Sequence, residues 1–334
     1  MQELIIAIIK SEPPGRKQTV MITFGPVPSR RLGMSLGINN IVSPKTCSYS
    51  CIYCQVGKTR LQSTRREAFF KPEQILQSLT EHLSKLKKDN YPDYLTFVSN
   101  GEPTLDINLG RSITLIRGTG IPVAVISNAS MLYDERVREE LSLADWVSVK
   151  MDAADASTWM MLNRPDPTLS FERHMKGINL FAGMYKGILN TETMVVRGIN
   201  DSREHLSSLA PLIADLKPGN AWISIPTRPP ADKSVLPPDP ETLTMAWHIF
   251  TGSNLETELL TGFEGTNTGF TGNIYEDILN ITAVHPLRED SLAELLKKDK
   301  ADKLVVDSLL KQKLIKQIVY NGKKYYLRDY HMNI

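Results

Sequence analysis

The sequence predicts an α/β fold with a parallel sheet, followed by a small C-terminal domain. From residue 34 to residue 251, short runs rich in β-branched and aromatic residues alternate with runs of helical periodicity. This alternation is typical of right-handed βαβ units. Near the C-terminus, Asn321-Gly322 separates two further β-rich runs and is the strongest short signal of a β-hairpin. We therefore expect two units of unequal size.

The larger unit is predicted to alternate six strands with six helices. The strands are expected at residues 34–42, 94–99, 122–127, 146–151, 188–196 and 221–226. The helices are expected at residues 71–88, 107–117, 134–142, 171–185, 202–216 and 240–251. The first helix begins at a proline, Pro72, and its Leu and Ile side chains recur at helical spacing. Six βα repeats are too few for a closed eight-stranded barrel.

The smaller unit is predicted to be a winged helix. Its helices are expected at residues 274–281, 291–298 and 301–313, and its hairpin strands at 315–320 and 323–328. The third helix of such a domain often binds nucleic acid. Five lysines support that hypothesis, namely Lys311, Lys313, Lys316, Lys323 and Lys324. Binding of a protein or peptide, and plain packing on the larger unit, are the two other hypotheses.

Composition and charge indicate an ordinary cytoplasmic protein. The chain has 39 basic and 37 acidic residues and a formal net charge of +2, so charge alone predicts no nucleic acid. The apolar stretch near the N-terminus, flanked by Glu3 and Lys10, is too short to span a bilayer, and no signal-peptide cleavage pattern follows it. We expect no membrane partner.

All three cysteines of the chain lie together, and they are the strongest functional signal. Cys47, Cys51 and Cys54 form a C-x3-C-x2-C triplet in the run TCSYSCIYCQVG. A 4Fe-4S cluster normally binds four thiolates, so three would leave one iron open to a ligand that is not protein. A structural zinc site would need a fourth ligand, and the next histidine in the chain is His82. A disulfide pair and inert core cysteines are the remaining alternatives, but both explain the tight grouping less well.

The triplet, with Tyr53 before its last cysteine, resembles the signature of the radical S-adenosylmethionine (SAM) superfamily. Residues 24–57 are also similar to a branch related to the wyosine tRNA synthase. The resemblance implies an open (β/α)6 TIM-like partial barrel with one 4Fe-4S cluster, whose unique iron is chelated by SAM. It implies reductive cleavage of SAM to a 5'-deoxyadenosyl radical, which abstracts hydrogen from a substrate. It also implies a low-potential electron donor such as flavodoxin or ferredoxin.

One feature of the wyosine synthase is missing from this chain. That family carries extra cysteines for a second cluster that engages its co-substrate pyruvate, whereas this chain has three cysteines in all. The radical-generating core can therefore be carried over, but the tRNA substrate cannot.

These predictions divide the chain into four segments. We expect an N-terminal lead at residues 1–23, the radical SAM core at 24–252, a linker or barrel-capping loop at 253–272 and the winged-helix-like domain at 273–334. In the lead, residues 4–9 form an ordered edge strand in the alternative interpretation, and Met21 is a second candidate start of translation. The third segment is rich in Gly and Thr, which favours a loop.

The ends of the second and third predicted strands supply candidate ligands of SAM. Ligands of parallel α/β folds gather at the carboxyl ends of the strands. The resemblance assigns Gly101 and Glu102 to a Gly-Gly-Glu type motif that holds the methionine amino group, although Asn100 replaces its first glycine. By itself Asn-Gly-Glu-Pro is also a common turn. After the third strand, Ser127 and Asn128 are implied contacts of the SAM ribose or carboxylate.

The later strand ends carry charged side chains. Lys150 and Asp152 share one face of the fourth strand, where they bind SAM or form a structural ion pair. A Schiff-base role of Lys150 would require burial to lower its pKa. Arg197 and Arg228 follow the fifth and sixth strands, where guanidinium groups can bind an anionic substrate in a two-pronged manner.

Upstream of the first predicted strand, Arg30 and Arg31 either grip phosphate or are solvated. We assign substrate roles to Lys150, Arg197 and Arg228.

Together these features predict a radical SAM enzyme with a single cluster and an unidentified substrate, for which an RNA base is one candidate. Two alternatives remain. One is an activase that installs a glycyl radical on a partner protein, although an activase needs little beyond the core. The other is a non-catalytic Fe-S regulatory protein that binds DNA, although such a protein would not need SAM-like motifs at its strand ends.

Overall fold

One curled sheet carries most of the predicted elements. The structure, a computed structural model, describes residues 22–329 except Ser43 and Phe263. The first ten strands are β1 (Thr23–Ser29), β2 (Gly33–Ile38), β3 (Thr46–Cys47), β4 (Leu61–Gln62), β5 (Tyr94–Phe97), β6 (Val123–Ser127), β7 (Trp146–Lys150), β8 (Ile188–Met194), β9 (Ala221–Ser224) and β10 (Thr257–Leu260). Eight of them form one sheet in the order β1-β2-β5-β6-β7-β8-β9-β10, and β3 pairs with β4. From β2 onward all pairs in the large sheet are parallel, so the predicted open half-barrel is confirmed.

Helices cover the outer face of this sheet. They are α1 (Pro72–Lys85), α2 (Leu109–Arg117), α3 (Glu135–Leu141), α4 (Ala156–Asn163), α5 (Phe171–Met184), α6 (Arg203–Ala214) and α7 (Pro240–Gly252). Alternate residues of each strand face opposite sides of the sheet. Val123 and Val125 of β6 therefore pack in the large helix-facing core, whereas Ala124 packs with Trp146 and Trp222 on the inner face. The concave side is thus left for polar side chains near the carboxyl ends of the strands.

Strand β1 is an addition to the predicted fold. It pairs antiparallel with β2 at the edge of the sheet and contains Pro26 and Pro28. Prolines argue against a central strand but are tolerated at an edge, where a missing N–H faces no partner. The predicted lead at residues 1–23 therefore ends inside the sheet. Residues 1–21, including the alternative strand at 4–9 and Met21, lie outside the described residues.

Strand β10 corrects the prediction of a linker or capping loop at residues 253–272. Thr257 to Leu260 pair in parallel with β9 and add a seventh parallel strand. Sequence reasoning missed this strand because it is short and because Glu258 and Leu259 are exposed at the edge of the sheet. The described residues between β10 and residue 274, namely 261–262 and 264–273, form no helix or strand.

Helix α4 is the third addition. It begins after Asp155, whose carboxylate accepts a hydrogen bond from Thr158 N, and it ends at Arg164 in a left-handed conformation. Its apolar residues are not confined to one side, and Met160 is 62% exposed, so the sequence shows no amphipathic stripe. The Asp155 cap was the available signal.

The C-terminal residues form a separate small core that docks on the open edge of the half-barrel. The elements are α8 (Ile274–Val284), β11 (Leu287–Arg288), α9 (Glu289–Lys298), α10 (Leu304–Lys311), β12 (Ile315–Tyr320) and β13 (Lys323–Arg328), with strand order β11-β13-β12. Val27 of β1 joins their apolar cluster. The hydroxyls of Tyr320 and Tyr325 donate to the carbonyls of Pro226 and Thr227, at 3.0 Å each. The predicted helices and hairpin are present, while the winged-helix assignment stays a prediction.

Across the described part of the chain, no helix combines the length and the hydrophobicity that a transmembrane span requires.

Helix α5 packs closely on the segment between β6 and α3, and a substitution of Gly177 tests this packing. A Cβ atom on Gly177 would lie 2.5 Å from the backbone of Leu132 and Tyr133. We expect Gly177→Ala to lower the free energy of unfolding by about 1–3 kcal/mol, because backbone atoms cannot yield as a side-chain tip can. The measurement is thermal unfolding followed by circular dichroism.

Gly183→Ala is the matched control in the same helix, since a Cβ atom on Gly183 would meet nothing within 4 Å. There we expect a gain of up to about 1 kcal/mol from helix propensity. Equal effects of the two substitutions would contradict the packing argument.

Candidate active site

The cysteine loop is fixed at the carboxyl edge of the sheet by backbone hydrogen bonds. The N–H groups of Ser50 and Ile52 donate to the carbonyls of Asn163 and Leu162 at the end of α4, at 3.0 and 2.9 Å. A bridge between Thr46 and Gly101 ties the start of the loop to the segment after β5. The loop is therefore held between two strand ends of the half-barrel.

An aromatic cluster lies under this loop. Tyr49 is 2% exposed, its ring meets Trp159 edge-on, and its hydroxyl accepts a hydrogen bond from Trp159 Nε1 at 3.0 Å. The same hydroxyl lies 3.3 Å from His174 Nδ1. Burial lowers the pKa of His174 to about 4, so the imidazole is neutral at physiological pH. The aromatic cluster thus packs under the cysteine loop without carrying a charge.

Each of the three thiols faces a hydrogen-bond donor. The donor–sulfur distances are 3.5 Å from Tyr49 N to Cys47 Sγ, 3.5 Å from Asn163 Nδ2 to Cys51 Sγ and 3.0 Å from Lys45 Nζ to Cys54 Sγ. Asn128 Nδ2 is a second donor to Cys47 Sγ, at 3.6 Å. Donors directed at sulfur stabilise thiolates and tune the potential of an iron-sulfur cluster.

Without a metal, the thiols of Cys47 and Cys51 would stay protonated. Burial raises the pKa of Cys47 to about 12 and that of Cys51 to about 11. Burial also works against the charge of Lys45, but the neighbouring sulfur atoms, Cys54 first, outweigh it and raise the pKa of Lys45. A buried set of thiols beside a charged ammonium is suited to hold metal as thiolates.

The geometry fits a cluster better than a single ion. Among the described residues, no group of three His, Cys, Asp or Glu side chains converges on a point where one metal ion could be held. The ligands of a cubane cluster need not converge, since each binds a different iron. The three free cysteines therefore meet the ligand requirement of a 4Fe-4S cluster with one iron left open.

Gly101 brings the predicted SAM-binding segment against the cysteine loop. A Cβ atom at this position would lie 1.7 Å from the carbonyl oxygen of Thr46, and its φ of 149° is unusual for any other residue. The adjacent Asn100 is 1% exposed, and its Oδ1 has no hydrogen-bond partner among the described residues. An orphaned buried acceptor beside the loop is consistent with a ligand that supplies a donor there.

Glu102 links the segment after β5 to the segment after β6 by hydrogen bonds. Its carboxylate accepts hydrogen bonds from Ser127 Oγ at 2.7 Å, from Asn128 N at 2.8 Å and from Thr104 N at 3.1 Å. Burial raises the pKa of Glu102 despite these donors. The structure thus brings together the four residues predicted around the methionine group, and it shows Glu102 to organise Ser127 and Asn128.

A second polar group surrounds Asp152. Its Oδ2 accepts hydrogen bonds from Tyr53 Oη and, at 2.9 Å, from Asn163 Nδ2, while Oδ1 accepts from Met194 N at 2.8 Å. Asn163 also contacts Cys51, so this network reaches the cysteine loop. The predicted cofactor residues Tyr53 and Asp152 are therefore adjacent in the structure.

Lys150 lies in a buried charge network rather than alone. Its Nζ is 3.2 Å from Glu192 Oε1, 3.8 Å from Asp152 Oδ1 and 5.2 Å from the centre of the Tyr53 ring. Burial lowers the pKa of Lys150, but Glu192 and Asp152 outweigh it, so the net shift is upward. The suggested Schiff-base role needs a lowered pKa, and the shift of Lys150 is in the opposite direction.

Glu192 also binds the guanidinium of Arg31, and this pairing corrects the view of Arg31 as simply solvated. Burial alone would raise the pKa of Glu192, yet Arg31 and Lys150 hold it far below its usual range.

The two arginines predicted to bind substrate lie in different settings. The Arg228 side chain is 13% exposed; it pairs with Glu264 and donates to Gln55 Oε1 at 2.6 Å. Arg197 is exposed, and its backbone N–H donates to the carbonyl of Leu236. The structure therefore brings Arg228, but not Arg197, to the cysteine loop.

Sequence reasoning missed several members of this site. They are Lys45, Gln55, Asn163, Glu192, Glu264 and His285. Two of them carried a usable signal: Glu192 is a carboxylate inside a strand, and Lys45 directly precedes the cysteine run. Gln55 directly follows Cys54, and the other three meet the site only through the fold.

Comparison with known proteins identifies the family. The sequence profile of the Radical SAM superfamily matches residues 41–210, about half of the chain, including all three cysteines. The chain belongs to the radical SAM superfamily. Membership implies a 4Fe-4S cluster and the use of SAM, and it supports an enzyme.

Several relatives and solved structures are similar to this chain. A UPF0026 protein of Methanocaldococcus jannaschii is 41% identical over 311 residues, covering 92% of this chain and 96% of that protein. A radical SAM methyltransferase from Sphaerobacter thermophilus has a similar fold, with a TM-score of 0.53 and 13% identity over 68% of this chain and 66% of that chain. The structural neighbours also include the wyosine synthase TYW1, with a lysine-pyruvate adduct bound, at a TM-score of 0.43 and 14% identity over 90% of this chain and 82% of that chain.

Lys45 is expected to raise the reduction potential of the bound cluster. Its ammonium donates to Cys54 Sγ and to Gly57 O, and positive charge near a cluster favours the reduced state. We expect Lys45→Met to lower the midpoint potential in an anaerobic redox titration followed by electron paramagnetic resonance. The exposed Lys58 provides the control, Lys58→Met, which should leave the potential unchanged. If Lys45→Met holds a full cluster and its midpoint potential is unchanged, Lys45 does not tune the cluster.

The buried charge network is expected to respond strongly to loss of its carboxylate. Glu192→Gln leaves Arg31 and Lys150 without their shared partner, which typically costs about 3–5 kcal/mol for a buried pair. The exposed pair of Arg111 and Glu73 offers the control, since Glu73→Gln should cost at most about 1 kcal/mol. Urea unfolding of the reconstituted protein measures both. Similar small losses would show that the network is solvated.

Proposed function

We propose that this protein is an enzyme that uses one 4Fe-4S cluster, bound by Cys47, Cys51 and Cys54, to cleave SAM reductively and abstract hydrogen from a substrate. The observation that carries the proposal is the position of the cysteine loop. Its three thiols, each with its own donor, adjoin the buried Glu102 and the orphaned Asn100 acceptor at the carboxyl ends of the strands. A metal site and an amino-group site are thus contiguous.

When bound, the cluster and SAM supply low-potential electron transfer and a carbon radical able to take hydrogen from an unactivated position. The protein's residues hold the reactants and limit side reactions. Glu102 presents a desolvated carboxylate whose charge is favoured by an ammonium partner. Ser127 and Asn128, fixed by Glu102, present polar groups to the ribose or carboxylate. Tyr53 and Asp152, which are hydrogen-bonded to each other, are further candidate contacts of SAM.

Substrate-side roles fall to side chains deeper in the half-barrel. Lys150 stays charged because of its two carboxylate neighbours, so its role is to orient an acceptor group rather than to act as a nucleophile. Arg228 lies beside the cysteine loop, whereas Arg197 would bind substrate from the surface. A flavodoxin or ferredoxin would supply the electron. An RNA base remains one candidate for the group that loses hydrogen.

The test is production of 5'-deoxyadenosine. After anaerobic reconstitution, dithionite and SAM should yield 5'-deoxyadenosine from the wild-type protein. Cys51→Ala should abolish the product, because two thiolates cannot retain a cluster with one open iron. The exposed Lys58→Met variant should behave as wild type. Wild-type protein that holds a full cluster and binds SAM, yet forms no 5'-deoxyadenosine, would overturn the proposal.

A further inference from the structure

A cavity of about 240 Å³ lies between the end of β9 and the C-terminal domain. Thr227 and Arg228 line it from the half-barrel, and Glu264 lines it from the loop after β10. His285 and Tyr325 line it from the C-terminal domain. The cavity therefore exists only because that domain is docked, and it gives the domain a direct part in whatever binds there.

The cavity adjoins the cysteine loop through one residue. Gln55, which directly follows Cys54, accepts a hydrogen bond from Arg228 Nη1 at 2.6 Å. Its Nε2 donates to the carbonyl of Val284, at the end of α8, at 3.2 Å. Gln55 therefore links the cysteine loop both to Arg228 and to the C-terminal domain.

The basic side chains around the cavity are only partly neutralised by acidic ones. The guanidinium of Arg30 donates to the carbonyls of Leu260 and Gly262, at 2.6 and 3.4 Å, and no carboxylate among the described residues pairs with it. Arg228 has one carboxylate partner, Glu264, and lies 3.3 Å from His285 Nε2. Of the two guanidinium groups, only that of Arg228 therefore has a paired carboxylate among the described residues.

The electrostatics of the neighbouring groups agree with this geometry. Burial, followed by the charges of Arg30 and Arg31, lowers the pKa of Arg228. Burial and the charges of Arg228 and Arg30 likewise keep the pKa of His285 well below its ordinary value. An added anion would relieve the repulsion among these groups.

We propose that this cavity binds a phosphate ester group of the substrate, between Arg228 and the C-terminal domain and with Arg30 behind it. The inference rests on the proposed function, because it places the substrate of that reaction. A phosphate monoester carries a charge of about −1.5 to −2 and three acceptor oxygens, which suits two guanidinium groups better than a carboxylate does. Glu264 occupies the anion position in the structure and moves aside when phosphate binds.

The Gly- and Thr-rich composition of the loop that carries Glu264 fits that movement. Thr261, Gly262 and Gly265 lie close to Glu264 in this loop, and a Cβ on either glycine would meet no atom within 4 Å. Such a segment can shift without breaking packed side chains.

Calorimetric titration of the reconstituted protein, without reductant, tests the site. The probes are a nucleoside 5'-monophosphate, inorganic phosphate, the unphosphorylated nucleoside and succinate. We expect both phosphates to bind and the nucleoside and succinate to bind at least tenfold more weakly. Arg228→Gln should weaken phosphate binding about tenfold or more, the usual effect of losing a charge-assisted hydrogen bond. Arg30→Gln should weaken it less, because Arg30 does not line the cavity and acts through its charge. Glu264→Gln should strengthen it, because it removes the internal competitor.

Arg65→Gln is the matched control, since its side chain is 83% exposed and does not line the cavity. The proposal fails if phosphate does not bind, if succinate binds as well as phosphate, or if Arg30→Gln and Glu264→Gln both leave the affinity unchanged. Arg30→Gln and Glu264→Gln test the proposal even if Arg228→Gln does not fold. Phosphate binding is measured without SAM cleavage, so a protein that binds phosphate but forms no 5'-deoxyadenosine would refute the proposed function and leave the anion site standing.

Discussion

The contact between Gly101 and the Thr46 carbonyl is the constraint on which the active site depends. An ideal Cβ at Gly101 would fall 1.7 Å from that oxygen, so this approach is open only to glycine. The same carbonyl accepts the N–H of Glu102 at 3.2 Å. Because Thr46 directly precedes Cys47, one contact fixes both the cysteine loop and the carboxylate that holds Ser127 and Asn128.

Charge inside the half-barrel is arranged in two sets with different consequences. Around Lys150, the carboxylates of Glu192 and Asp152 are balanced by the positive charges of Lys150 and Arg31. The cost of burying these charges is therefore compensated within the network, which stabilises the fold. Glu264 pairs with Arg228, whereas the nearby Arg30 has no carboxylate partner among the described residues, so compensation is incomplete. The first set needs no ligand to be stable, whereas the second leaves an electrostatic reason to bind one.

How much could be predicted from the sequence depended on whether the signal was local. Helical and strand periodicity located the six predicted strands, and the cysteine triplet located the metal site, because neighbouring residues carry these signals. Strands β1 and β10 were missed because both lie at sheet edges and carry prolines or exposed residues. The charge networks could not be predicted: Arg31 lies 161 residues from Glu192, and Arg30 lies 230 residues from the carbonyl it binds. Only the fold brings such groups together.

The same argument decides what the C-terminal domain contributes. Its lysines were the local signal and favoured nucleic-acid binding, yet its tyrosine hydroxyls and His285 face the half-barrel, where they close the edge beside β9. A domain that merely packed would gain nothing from placing polar groups on a cavity next to the cysteine loop, since burying them costs free energy unless they are paired. That cost is offset if the domain completes the substrate site. Nucleic-acid binding by its third helix stays a prediction; in that helix Val306 and Leu309 are buried and Lys311 is exposed.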